Sequence, residues 1–178
     1  MWSFCIWDYK KKQMFLSRDI FGEKPLYYFH SNNRFVFGSE IKFLHSLSKE
    51  NFYVNRKKIN DYLFNGYKSL LKNNETFYKK IFSLEPGYNI LVKNDLSINK
   101  YCYWKPKTNQ KKYKNYNEIL ENTKDILIKS VKSRLQSDVP VAFSLSGGID
   151  SSGIVSIARK TLNKKVNCFS IIDSDERY

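Results

Sequence analysis

The sequence predicts a mixed α+β and α/β chain, in which a partial antiparallel sheet is followed by the first β-α-β unit of a Rossmann-like parallel sheet. Three observations carry this expectation. Short apolar runs with a period near two, divided by Gly, Pro and Asp, occupy the stretch before residue 104. After residue 115 the apolar spacing lengthens to that of a helix. A Gly-Gly turn then links a short apolar run to a second helical pattern and a further apolar run, the order from which parallel sheets are built.

Taken in order, Phe4 to Trp7, Met14 to Ser17, Leu26 to Phe29 and Arg34 to Gly38 are expected strands. They are separated by Asp8 to Lys12 and by Phe21-Gly22-Glu23-Lys24-Pro25, a spacing that suits an antiparallel sheet. Glu40 to Leu47 is expected as a short helix burying Ile41, Leu44 and His45, and Arg56 to Phe64 as a second carrying Ile59, Leu63 and Phe64. Glu85-Pro86-Gly87 is a turn signal, and Tyr88 to Val92 pairs with Ser97 to Tyr103 as a hairpin around Lys93-Asn94-Asp95. Trp104 to Lys114 is basic and polar and contains Pro106; residues 105–114 read as a linker between domains 1–104 and 115–178.

Beyond the linker, Tyr116, Ile119, Leu120, Thr123, Ile126, Leu127, Val131 and Leu135 share one helical face, and Asn115 with Glu118 is placed like a capping box. Val139 to Leu145 reads as a buried strand, Ile149 to Lys160 as a helix and Lys165 to Ile172 as another strand.

Composition narrows the partners. Lys and Arg outnumber Asp and Glu 31 to 17, a formal charge of +14, but the lysines are scattered among Asn and Tyr, the pattern of a solvated surface. A nucleic-acid partner is therefore not expected. Cys5, Cys102 and Cys168 form no CxxC pair, so neither a zinc site nor a disulfide framework is expected and free thiols in a cytoplasmic setting are. No apolar run approaches the roughly 20 residues that span a bilayer, and the opening residues lack the basic region of a signal peptide.

Chemistry concentrates in Ser144-Leu145-Ser146-Gly147-Gly148-Ile149-Asp150-Ser151-Ser152, at the end of an expected strand and the start of an expected helix. Ligands of open parallel sheets bind at this position. Adjacent glycines let the backbone turn sharply and approach a ligand, and amides at the helix start favour an anion, with phosphate the natural guest. Ser146, Ser151 and Ser152 add hydroxyl donors, and Asp150 is suited to hold a magnesium ion bridging phosphate oxygens. The loop has no lysine, so it is not a Walker loop.

Ser137-Asp138-Val139-Pro140 followed by Ser-Leu-Ser-Gly-Gly-Ile-Asp-Ser-Ser resembles the pyrophosphatase loop of asparagine synthetases, members of the ATP-pyrophosphatase superfamily that cleaves ATP between the α and β phosphates. The first half agrees independently. Phe4-Cys5-Ile6-Trp7-Asp8, Phe15-Leu16-Ser17-Arg18-Asp19, Phe21-Gly22-Glu23-Lys24-Pro25-Leu26-Tyr27-Tyr28 and Phe37-Gly38-Ser39-Glu40-Ile41-Lys42 resemble the closing strands of a class II glutamine amidotransferase domain of the Ntn-hydrolase type. The resemblance implies that Asp19 binds the α-amino group of glutamine, and that Ser146, Gly147, Gly148, Asp150 and Ser151 bind pyrophosphate. It further implies that Leu145 and Ile171 line the adenine and ribose site, that Glu40 matches a family glutamate to which no chemical role is given, and that the cofactors are ATP and Mg²⁺. In the family, ammonia released from glutamine by an N-terminal cysteine attacks β-aspartyl-AMP, so the substrates expected by resemblance are glutamine, aspartate and ATP.

The sequence departs from the family pattern at both ends. Met1-Trp2-Ser3-Phe4 corresponds to an interior stretch of the amidotransferase domain, and Cys5, alternating with Phe4 and Ile6 in a strand, reads as core and not as the nucleophile. The chain closes at Asp173-Ser174-Asp175-Glu176-Arg177-Tyr178, before most of the aspartate site. The expectation is a fragment, inactive alone, whose open strand edges require a complementary polypeptide or a second copy. Rival readings are an amidotransferase acting on a carboxylated sugar or peptide, a tRNA-modifying ATP-pyrophosphatase and a non-catalytic remnant.

Overall fold

The computed structural model describes residues 1–107 and 113–172; residues 108–112 of the expected linker and the closing stretch 173–178 lie outside the described residues. The chain divides into two compact units, Met1–Thr108 and Asn109–Tyr178.

The first unit contains strands β1 (Ser3–Asp8), β2 (Gln13–Arg18), β3 (Tyr27–Ser31) and β4 (Arg34–Gly38), helices α1 (Ile41–Ser48) and α2 (Arg56–Asn65), and strands β5 (Ile81–Ser83), β6 (Tyr88–Lys93) and β7 (Ile98–Cys102). They form two antiparallel sheets, ordered β1-β2-β6-β7 and β4-β3-β5. Leu16 lies opposite both Cys5 and Ile90, so alternate residues of the first sheet share one face. That face meets the second sheet in a core of Leu16, Leu26, Tyr28, Leu84, Ile90 and Val92, with Phe35, Phe37 and Phe82 packed against it. On the opposite face of the second sheet, Phe29, Leu44 and Ile81 seat α1. Ile41 joins this cluster and the His45 ring meets Phe52 and Tyr78 edge-on at 4.9 and 5.0 Å, as the helical spacing predicts.

Helix α2 differs from its apolar pattern. Leu63 and Phe64 are 73% and 88% exposed, while Lys58 is buried. The Lys58 ammonium donates to the Ser69 carbonyl (3.0 Å) and to Asn73 Oδ1 (2.9 Å), so polar anchoring to the short 3₁₀ turn Tyr67–Leu71 decides which side of the helix faces inward.

The second unit contains α3 (Tyr116–Arg134), β8 (Ala142–Ser144), α4 (Ile149–Ser156), prolonged by a π-helical turn Ile157–Thr161, and β9 (Asn167–Phe169). Asn115 caps α3 by accepting the Glu118 N–H at 2.9 Å, and Glu118 Oε2 reaches back to the Lys114 N–H at 2.7 Å, one residue earlier than in the usual box. Strands β8 and β9 pair in parallel, with Phe143 opposite Cys168, giving the expected β-α-β order. The strands are shorter than the apolar runs and β8 is not buried; Val139 is exposed. Each has a single neighbour among the described residues, and Pro140 has no N–H to extend a ladder. No helix among the described residues is long and apolar enough to cross a membrane.

Candidate functional site

Asp19 follows the last residue of β2, where the chain turns through Phe21-Gly22-Glu23-Lys24. The residue is 2% exposed. Oδ1 accepts the backbone N–H groups of Phe21 and Glu23, both at 3.0 Å, and Oδ2 accepts those of Lys24 at 3.0 Å and Trp2 at 3.3 Å. Burial alone raises the carboxyl pKa, but the four amide donors outweigh it and hold the group at about 2, fully ionised at neutral pH. The Asp19 backbone is tied down as well: its N–H donates to Trp2 O (2.9 Å) and its carbonyl accepts from Gly22 (3.1 Å) and Gly87 (3.0 Å). Both carboxylate oxygens are thus taken up by backbone amides, the longest of the four bonds being the one from Trp2.

Residues that the sequence did not single out complete the surroundings. The Trp2 indole donates to Ser17 Oγ at 3.2 Å and stacks on Tyr103 with centroids 6.4 Å apart, and the Tyr103 hydroxyl donates to Arg18 O at 2.7 Å. A mainly apolar groove between Phe21, Pro86, Tyr88, Cys102 and Trp104 opens beside the turn. Cys5 packs against the first core and burial pushes its thiol pKa up, which disfavours the nucleophilic thiolate. Glu40 stands at the N-cap of α1 without a capping bond and pairs with Lys42 at 2.7 Å on the surface.

In the second unit the Ser-Gly-Gly-Ile-Asp-Ser turn joins β8 to α4. Gly147 adopts φ +79°, a conformation that side chains disfavour, although nothing stands within 4 Å of where a Cβ would lie. Ser146 and Ser151 bring their hydroxyls within 3.1 Å; Ser151 Oγ accepts the Ser146 N–H (3.3 Å) and donates to the Gly148 carbonyl (3.1 Å). These bonds curl the loop back over the start of α4. Gly148, the N-cap, offers no side-chain cap, and the first amides of α4, like those of any helix, have no intrahelical acceptor.

Leu145 is half-buried, its N–H donating to Phe169 O at 2.8 Å and its carbonyl accepting from Ser170 Oγ at 2.7 Å. Those bonds bring Leu145 and the segment leading to Ile171 to one end of the two-stranded sheet; Ile171 itself lies past β9 and is fully exposed, not part of a strand core. Among the described residues no group of three or more His, Cys, Asp or Glu side chains is placed to hold a metal ion. Asp150 is exposed in the first turn of α4, and a carboxylate there suits Mg²⁺ when phosphate and water oxygens complete the shell.

Residues 1–104 match the family model described as a glutamine amidotransferase domain, and residues 122–177 match that of asparagine synthase. The first match covers more than half of the chain, and the chain belongs to the glutamine amidotransferase domain family. Among curated relatives, a putative glutamine-hydrolysing asparagine synthetase of Methanocaldococcus jannaschii is 38% identical, over 96% of this chain and 33% of that protein. Amidase chry2 of Gibberella zeae is 31% identical over 97% of this chain and 26% of its own length, and a glutamine-hydrolysing asparagine synthetase of Bacillus subtilis is 29% identical over 93% and 26%. The chain spans about a third or less of the length of these relatives.

Proposed function

We propose that the chain is part of a cytoplasmic glutamine-dependent, ATP-consuming amide synthetase that makes asparagine from aspartate. The observation that carries the reading is the pairing, in one chain, of an amidotransferase match with a Ser-Gly-Gly-Ile-Asp-Ser turn curled over the start of a helix between parallel strands. In this reading residues 1–104 belong to the amidotransferase domain, 105–114 to the linker and 115–178 to the ATP-binding domain.

The proposed roles are those that the family resemblance implies for these positions. Asp19 accepts the α-ammonium of glutamine. In the second unit the aspartate β-carboxylate attacks the α-phosphorus of ATP, the bond to the β-phosphate breaks, and ammonia then displaces AMP from the acyl carbon. The amides and hydroxyls of Ser146, Gly147, Gly148 and Ser151 receive the charge that accumulates on departing pyrophosphate. Bound Mg²⁺ at Asp150 supplies further neutralisation of that charge. Leu145 and Ile171 border the nucleoside.

Exposed apolar faces support a partner, either a complementary polypeptide or a second copy: Ile119, Leu120, Ile126 and Leu127 on α3, and Leu63 and Phe64 on α2, are uncovered. A second reading keeps the chemistry and changes the acceptor to another carboxylate, because a relative named as an amidase matches as much of the chain as the named asparagine synthetases do.

Calorimetric titration with Mg·ATP tests the ATP site. Micromolar-to-millimolar binding is expected, weakened at least about tenfold by Gly148→Asp, which sets a carboxylate before the loop amides, and by Asp150→Ala. Absence of binding by folded chain, or binding indifferent to both substitutions, contradicts the reading. Pyrophosphate release stimulated by L-aspartate separates the first acceptor from the second.

A further inference from the structure

The turn between β8 and α4 is held by little packing. Ser146, Gly147 and Gly148 are exposed, nothing stands within 4 Å of a Cβ position at Gly147, and Ser146 Oγ, at 3.5 Å, is what stands near that of Gly148. Its course is set where the chain leaves the sheet. Ser144, the last residue of β8, pairs with Phe169, and the next residue, Leu145, is bonded on both sides. Its N–H donates to Phe169 O at 2.8 Å, and its carbonyl accepts the Ser170 hydroxyl at 2.7 Å.

In a parallel ladder that continued, a backbone N–H of the neighbouring strand would take that carbonyl. Here a side chain takes it, one residue past the end of β9. The Leu145 carbonyl and the Ser146 N–H belong to one planar trans peptide and so point in opposite directions. With the carbonyl drawn to Ser170, the Ser146 N–H is turned away from β9 and toward Ser151 Oγ, which accepts it at 3.3 Å. Ser151 Oγ in turn donates to Gly148 O at 3.1 Å. The peptide plane held by Ser170 is therefore the first link in a chain of bonds that runs through the turn to the start of α4.

We infer that Ser170 is a positioning residue of the Ser-Gly-Gly-Ile-Asp-Ser turn: its hydroxyl fixes the Leu145–Ser146 peptide and so aims the first amide of the turn at pyrophosphate. The inference rests on the reading of this turn as the pyrophosphate site. Ser170 itself takes no phosphate oxygen and acts through Leu145.

Three variants test it. Ser170→Ala removes the hydroxyl from an exposed position and so opens no cavity. Ser170→Thr keeps the hydroxyl. Cys168→Ala trims β9 two residues earlier, at an exposed side chain opposite Phe143. The unfolding midpoint serves as the control for the fold. In Ser170→Ala the proton–nitrogen heteronuclear NOE of the Ser146 and Gly147 amides is expected to fall. Affinity for inorganic pyrophosphate with Mg²⁺, read by calorimetry, is expected to drop about fivefold, the contribution of one hydrogen bond. Ser170→Thr is expected to restore both, and Cys168→Ala to move neither. NOE values and affinity unchanged in a folded Ser170→Ala protein overturn the inference, as does an equal loss in Cys168→Ala, which marks a general loosening of the sheet. An NOE that falls in Ser170→Ala and recovers in Ser170→Thr, in a chain whose wild type does not bind pyrophosphate, upholds Ser170 as the residue that orders the turn and instead refutes the ligand assigned to it.

Discussion

Asp19→Asn is expected to lower the stability of the first unit by about 3 kcal/mol, read from urea unfolding followed by tryptophan fluorescence. The carboxylate accepts four backbone N–H groups with both oxygens. An amide keeps one oxygen and turns an NH₂ group toward two of those donors, leaving buried N–H groups facing N–H. Each buried group left without a partner costs about 1–3 kcal/mol.

The pH dependence provides an independent reading of the same bonds. The carboxyl pKa falls from 3.8 to about 2 in the folded protein. A depressed acid contributes stability that is complete above the unfolded value and is lost as pH falls through the folded one; here that contribution is about 2 kcal/mol. The stability gap between wild type and Asp19→Asn should therefore be constant from neutral pH down to about 5 and narrow toward pH 2. A gap that stays constant to pH 2 would mean that the amide bonds do not discriminate between the charged and neutral forms.

Gly87→Ala is the second large effect, with an expected loss of about 3 kcal/mol. Gly87 has φ +73°, and a Cβ there would lie 2.7 Å from the Trp104 carbonyl oxygen. That carbonyl is not free to swing away, because the N–H groups of Tyr103 and Trp104 both donate to Gly87 O, at 2.9 and 3.3 Å. Gly66 also has a positive φ, +67° with ψ −165°, a region open almost only to glycine, but nothing stands within 4 Å of its Cβ position, so Gly66→Ala meets a backbone penalty of about 1–3 kcal/mol and no contact. A loss at Gly87→Ala of no more than about 1 kcal/mol would show that contact with Trp104 contributes nothing.

Much of the first unit was legible because its strands alternate cleanly. β1, β2 and β4 follow the runs read from Phe4, Met14 and Arg34 to within a residue or so, and β7 follows the hairpin partner of β6. The second helix was read correctly in extent and wrongly in face, since periodicity registers Leu63 and Phe64 but not the carbonyl and amide oxygens that draw Lys58 inward. In the second unit α3 was legible from spacing and its cap, and α4 from the Gly-Gly turn that opens it. The lengths of β8 and β9 were not, because strand length depends on neighbours and not on the run itself.

The candidate sites show the same division. The Gly-Gly turn announces its own geometry, as Gly147 at φ +79° illustrates. Asp19 was reachable only through the family resemblance, for an aspartate after a strand is ordinarily a solvated turn residue. Trp2, Tyr103 and Ser170 were not singled out at all. Their bonds reach across 15 to 85 residues of sequence, and no local pattern marks a hydroxyl that will meet a distant carbonyl.

Amide NMR of the chain, titrated with inorganic pyrophosphate and Mg²⁺, tests whether the turn after β8 is a phosphate cradle. Saturable shifts are expected, largest at Gly147, Gly148, Ile149 and Asp150 and abolished by Gly148→Asp. Shifts spread over surface lysines, or none in a chain whose spectrum is that of a folded protein, would contradict it.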